Sequence, residues 1–159
     1  MEKEKMDMPE RKLIDHRGPI RVDVRGAWYF ITLCAKQMKV KTFEELIVWQ
    51  KAMELAEVVY RLQKTLPKEE VYGLGDQIRR AVVSIPSNIA EGFGRDSTKD
   101  FQHFLTIARG SLFEVKTQLL LAQRLHYLTI DSETWDLITE VGKVINGLLS
   151  SPGLKLTLS

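Results

Sequence analysis

Apolar residues recur three and four positions apart through most of the chain, and the stretches where they do so predict four amphipathic helices. Thr42 is a candidate N-cap with Glu44 and Glu45 behind it. The stripe Phe43, Leu46, Ile47, Trp49, Met53, Ala56 and Tyr60 then runs to about Lys64 and stops at Leu66-Pro67. Leu74, Ile78, Ala81, Val82, Ile85 and Ile89 predict a second helix from about Leu74 to Glu91 with Pro86 in its interior; the lost hydrogen bond predicts a kink near Ser84. Asp96 or Ser97 can cap a third helix, whose stripe of Phe101, Phe104, Leu105, Ala108, Leu112, Val115 and Leu119 extends to Leu125. Asp131 or Ser132 caps the fourth, with Trp135, Ile138, Val141, Val144 and Leu148 ending before Pro152-Gly153. Short connections make an all-α, antiparallel up-down-up-down four-helix bundle the economical fold.

The front of the chain breaks this period. Met1 to Asp15 is charged without periodicity, and His16-Arg17-Gly18-Pro19 marks a turn. From Ile20 to Leu33 the period is two, with Arg25-Gly26 offering a turn, which predicts a short β-hairpin in an N-terminal extension. The expected organisation is a basic arm over 1–41, the bundle over 42–150 and a frayed tail over 151–159.

Composition narrows the chemistry. An apolar share of 44% and a charged share of 28% suit one ordinary globular core. One cysteine, Cys34, excludes an intramolecular disulfide framework and a Cys-based zinc site. No apolar run approaches the length of a membrane span and no leader stands out, so a reducing cytoplasm is the expected setting, with no membrane. Residues 1–41 hold ten Lys/Arg against six Asp/Glu, leaving thirteen against fifteen in the rest. A basic front therefore precedes a nearly neutral body, and nucleic-acid binding by the body has to come from local clustering.

Three histidines, His16, His103 and His126, lack partners at metal-binding spacing, and no phosphate-binding loop follows a strand. No metal, cofactor or catalysis is expected. The carboxylates Glu91 and Glu114, placed to meet across helices two and three, are the pair an enzyme would use; with arginines nearby they read as structural. Gln77, Ser84, Asn88, Glu91, Ser111 and Glu114 form a polar set on helices that fixes packing, with Ser84, Ser87 and Asn88 placed either to satisfy carbonyls freed by Pro86 or to act as cross-helix hydrogen-bond donors. Gly110, mid-helix, is expected to let another helix approach closely. The candidate phosphate contacts are Arg79, Arg80, Arg95, Lys99, Arg109, Lys116 and Arg124. Arg109 and Lys116 lie seven apart on one face, with Gln102 and Gln123 on the same stripe.

Several of these segments carry a resemblance. Phe43-Glu44-Glu45-Leu46-Ile47-Val48-Trp49-Gln50-Lys51-Ala52, Gln77-Ile78-Arg79-Arg80-Ala81, Ser84-Ile85-Pro86-Ser87-Asn88-Ile89-Ala90-Glu91-Gly92-Phe93-Gly94-Arg95 and Ala108-Arg109-Gly110-Ser111 resemble the four-helix-bundle proteins encoded by intervening sequences of bacterial 23S rRNA genes, the S23 family. The resemblance implies a homopentameric bundle without catalysis and with a role in binding nucleic acid. Similar bundles include the accessory variability determinant proteins of diversity-generating retroelements, which bind a reverse transcriptase and its template RNA. The expected function is a non-enzymatic, homo-oligomeric accessory protein that binds RNA or DNA; the alternative is a protein-interaction scaffold, for example for a reverse transcriptase.

Overall fold

The computed structural model describes residues 40–95 and 97–151, with the backbone of two short strands at 13–15 and 18–20. Four α-helices follow one another among the described residues: α1 (Ile47–Leu62), α2 (Leu74–Phe93), α3 (Thr98–Arg124) and α4 (Ser132–Leu149). α1 and α3 each pack against both α2 and α4, giving a square bundle in which α2 and α3 share the most extensive contact. Two pairs of facing residues fix the direction: Ser84 meets Ser111 while Gly92 meets Phe104, so α2 and α3 run antiparallel.

The helix ends follow local chemistry. α1 starts later than the stripe predicts because Leu46 is extended, so Phe43–Glu45 forms a separate 3-10 turn and Thr42 makes no side-chain cap. Phe43 still reaches forward, its ring edge-on to Trp49 at 5.2 Å. Ser97 Oγ accepts the N–H of Asp100 and Asp131 Oδ1 accepts the N–H of Thr134 at 2.7 Å, the two N-caps expected for α3 and α4. α3 ends in a Schellman turn. The N–H of Tyr127 bonds the carbonyl of Ala122, that of His126 bonds Gln123, and His126 takes the left-handed conformation at φ 58° that glycine usually supplies.

Pro86 lies inside α2, which continues through it without a break. Of the two roles expected of the nearby polar side chains, Ser84 takes the cross-helix one, with Ser111, and none bonds the carbonyl that the proline frees. Pro86 deprives Val82 of its partner, yet Ser87 Oγ donates to the carbonyl of Val83 (2.8 Å) and Asn88 Nδ2 to that of Ser84 (2.7 Å).

One apolar core fills the square, with Leu55, Ile78, Ile85, Ile89, Phe101, Leu105 and Ile145 all out of contact with solvent. Each such side chain contributes about 1.5–3 kcal/mol of transfer free energy. The antiparallel strands β1 (Leu13–Asp15) and β2 (Gly18–Ile20) pair Leu13 with Ile20 and Asp15 with Gly18. Of the ladder expected over 20–33 only Ile20 is described, at the end of β2; the rest of it, Cys34 and the tail beyond 151 lie outside the described residues.

Candidate nucleic-acid interface

α3 has two contrasting faces. Its inner side meets α2 along a polar seam inside an otherwise apolar contact. Asn88 Nδ2 donates to Ser84 Oγ at 2.9 Å, the two serine hydroxyls of Ser84 and Ser111 lie 2.9 Å apart, and Ser111 Oγ is 3.2 Å from the carbonyl of Ile107. With one proton per hydroxyl, the consistent order is Asn88 to Ser84 to Ser111 to the Ile107 carbonyl, which leaves no donor idle. One end of the seam is tighter still: a Cβ on Gly92 would stand 2.6 Å from Phe104 Cβ.

The rest of the expected polar set is dispersed. Gln77 is exposed. Glu91 pairs with Arg95 at 2.7 Å, and Glu114 accepts from Gln118 Nε2 at 3.0 Å. Because Ser84 faces Ser111 on antiparallel helices, Glu91 and Glu114 sit about 15 Å apart along the seam and do not meet. Gln118 is buried, and its Oε1 has no hydrogen-bond partner among the described residues. His103 and His126 are exposed, and no group of three His, Cys, Asp or Glu among the described residues is placed to hold a metal ion.

The outer side of α3 carries the basic residues. At 100° per residue, Lys99, Gln102, Thr106, Arg109, Phe113, Lys116, Leu120 and Arg124 fall within an arc of about 100°. Lys99 and Arg124 end a row roughly 38 Å long at 1.5 Å per residue. The two carboxylates of the helix, Asp100 and Glu114, fall outside the arc, towards α2. Lys99, Lys116 and Arg124 are exposed and make no ion pair or hydrogen bond among the described residues. Arg109 is lightly held, by Asn146 Oδ1 of α4 at 3.2 Å. Lys143, which the sequence reading passed over, borders the row from α4: it follows Gly142, packed on Leu112, and precedes Asn146 by one turn.

The other three bases differ in kind. Arg79 is a strut: its guanidinium donates to Gln63 Oε1 (2.9 Å), to the Val71 carbonyl (2.8 Å) and to Asp76, tying the α1–α2 connection onto α2. Its donors are used internally. Arg95 pairs with Glu91 and lies 5.4 Å from the Phe104 ring centre. Arg80 is exposed, beside Tyr60, Val83 and Ser87.

The remaining faces have other characters. Between α1 and α4 lies an acidic groove of about 620 Å³ with Glu54, Asp131, Glu133, Asp136 and Glu140. Lys51 bridges Glu54 (3.2 Å) and Glu140 (3.3 Å) there; burial lowers its pKa, and the two carboxylates more than reverse this, holding it above the ordinary lysine value. Between α1 and α2 runs an apolar groove of about 550 Å³ lined by Trp49, Met53, Ala56, Tyr60, Val83 and Pro86. No helix among the described residues is long and apolar enough to cross a membrane.

A square antiparallel bundle with a basic row on one outer face defines a small helical-bundle protein. The model of the family described as 23S rRNA-intervening sequence protein matches residues 44–147, and the chain belongs to that family. A crystal structure from Bacteroides thetaiotaomicron, described as a protein with unknown function from the S23 ribosomal protein family, is similar, with 28% identity and a TM-score of 0.58. The match covers 65% of this chain and 99% of that one. No curated protein matches this chain.

Proposed function

We propose that the protein is a non-enzymatic, homo-oligomeric accessory protein that binds nucleic acid through the outer row of α3. The observation that carries this reading is the segregation of charge: Lys99, Arg109, Lys116 and Arg124 share one side of α3, and the acidic groove lies between α1 and α4. A neutral body can hold a polyanion only where its bases are collected and its acids are elsewhere. Four bases are a modest patch, and repeating them in a ring of copies, as in the pentamer that the family resemblance implies, would lengthen the positive surface without changing the chain. RNA is the preferred ligand, DNA the second. Lys143 joins the row in this reading, and Arg79 does not.

The apolar α1–α2 groove favours a second reading, a scaffold that holds a protein such as a reverse transcriptase. Light scattering coupled to size exclusion, on nuclease-treated protein with and without short RNA at two salt concentrations, separates the two. The first reading expects an oligomer whose mass rises with RNA at low salt and falls back at high salt. An oligomer indifferent to RNA at both concentrations overturns it and leaves the scaffold.

A further inference from the structure

Along the basic row two residues are apolar and exposed, Phe113 and Leu120, and Phe113 is the aromatic and the more exposed of the two. Phe113 is 59% exposed at the middle of α3. Single exposed apolar side chains are common on any surface, so exposure alone means little. Its surroundings are what distinguish it. Arg109 stands one turn before it and Lys116 one turn after, on the same side of the helix. Gly110, also one turn before, leaves a gap: among the described residues no atom of another element lies within 4 Å of the place its Cβ would take. A glycine inside an exposed helix costs about 1 kcal/mol relative to alanine, and nothing in the bundle recovers that cost here.

A flat aromatic ring, an unobstructed approach to it, and a cation on either side are the parts of a stacking platform for an unpaired nucleobase. The bases hold the phosphates that flank the stacked nucleotide, and the ring takes any of the four bases because each has a π-face. In a duplex those faces are occupied by neighbouring pairs. We infer that Phe113 stacks a nucleobase of single-stranded RNA, so that the row prefers single strands to duplexes with little preference for sequence. This rests on the proposal that the α3 row binds nucleic acid and adds the kind of strand it takes. A second copy of the chain fits this spot less well, because the residues one turn from Phe113 are Arg109, Gly110, Lys116 and Thr117; α3's exposed leucines Leu120, Leu121 and Leu125 lie nearer its end.

The test uses the full chain, a labelled single-stranded RNA of about twelve nucleotides, and a duplex of the same sequence. Phe113→Leu keeps apolar bulk and helix propensity but removes the ring, and Phe113→Trp keeps the ring. The expected result is that Phe113→Leu weakens single-strand binding about tenfold while duplex binding and the salt slope stay as in the wild type. Phe113→Trp restores the affinity. A 2-aminopurine in the single strand should lose emission on the wild-type and Trp proteins and keep it on the Leu protein. Equal affinity of the Leu variant and the wild type for the single strand overturns the inference while leaving salt-sensitive binding intact. A change of light-scattering mass in Phe113→Leu overturns it in favour of a contact between copies. Absence of salt-sensitive binding by the wild type to either probe removes the parent proposal as well.

Discussion

Gly92 and Gly110 belong to adjacent helices of one bundle, and they have opposite surroundings. A methyl group on Gly92 would collide with Phe104 Cβ at 2.6 Å and crowd Phe101 at 3.2 Å, whereas one on Gly110 would meet nothing from another element among the described residues. The first glycine is a requirement of the α2–α3 contact, and packing accounts for it in full. The second has no such account among the described residues. The inner side of α3 is completed by its own fold; the outer side is an open surface bearing bases and one ring. The seam holds the bundle together and the row is the surface proposed to bind, so substitutions on the two sides should separate accordingly.

The largest effect belongs at the tight end of the seam. Gly92→Ala ordinarily would gain helix propensity, but Phe104 Cβ is fixed to its backbone and cannot rotate away, so the helices must part. We expect a net loss of about 1–3 kcal/mol in urea denaturation. A neutral or stabilised Gly92→Ala would contradict the close approach. Ser111→Ala comes next, at about 1–2 kcal/mol, since it strands the Ser84 hydroxyl inside the contact. Ser84→Ala combined with Ser111→Ala should cost less than the sum of the single changes, because the second removes a group already unpaired. Additive losses would show that the hydroxyls do not act as one chain.

Smaller changes have the other sign. Gly110→Ala should stabilise the fold by up to about 1 kcal/mol, since it adds propensity where space is open. A loss there would place an unseen neighbour against α3. His126→Gly should gain about 1 kcal/mol by relieving a side chain at φ 58°. The smallest effect is a pH dependence at α4. Thr134 bonds the Asp131 carboxylate through its side chain and its N–H and holds its pKa below the ordinary aspartate value. A depressed carboxyl stabilises the fold above its unfolded pKa and loses that contribution as pH falls through the folded one. Asp131→Ala should thus be less stable than the wild type at neutral pH, with the gap closing below about pH 4. A gap that stays constant down to pH 2 would remove the cap from the account.

Much of the inner side of α3 was legible in the sequence. The apolar stripes placed all four helices, and the side chains of Ser97 and Asp131 gave two of the starts. Ser84, Asn88 and Ser111 stood out as polar residues in apolar surroundings, and they meet along one seam. The misreadings share one cause: each depends on a partner that spacing does not reveal. Gly110 resembles Gly92 as a letter in a helix, and only the neighbouring helix tells them apart. Arg79 and Arg80 are adjacent in the chain, yet one is a strut across the α1–α2 connection and the other faces solvent. Glu91 and Glu114 were placed to meet by helix order, but the antiparallel register separates them. Phe113 was hidden because an apolar letter one position from the core residue Leu112 reads as part of a wide stripe, although a step of 100° turns it outward. The signal that could have found it is Lys116 and Arg109 at one turn on either side.

Photocross-linking tests the division between a finished inner side and a binding outer row most directly. A short single-stranded RNA carrying 4-thiouridine, irradiated with the full chain at low salt, should attach to α3 peptides containing Arg109, Phe113 and Lys116, with high salt removing the product. Cross-links concentrated in the acidic groove between α1 and α4, or no salt-sensitive cross-link at all, would contradict the account.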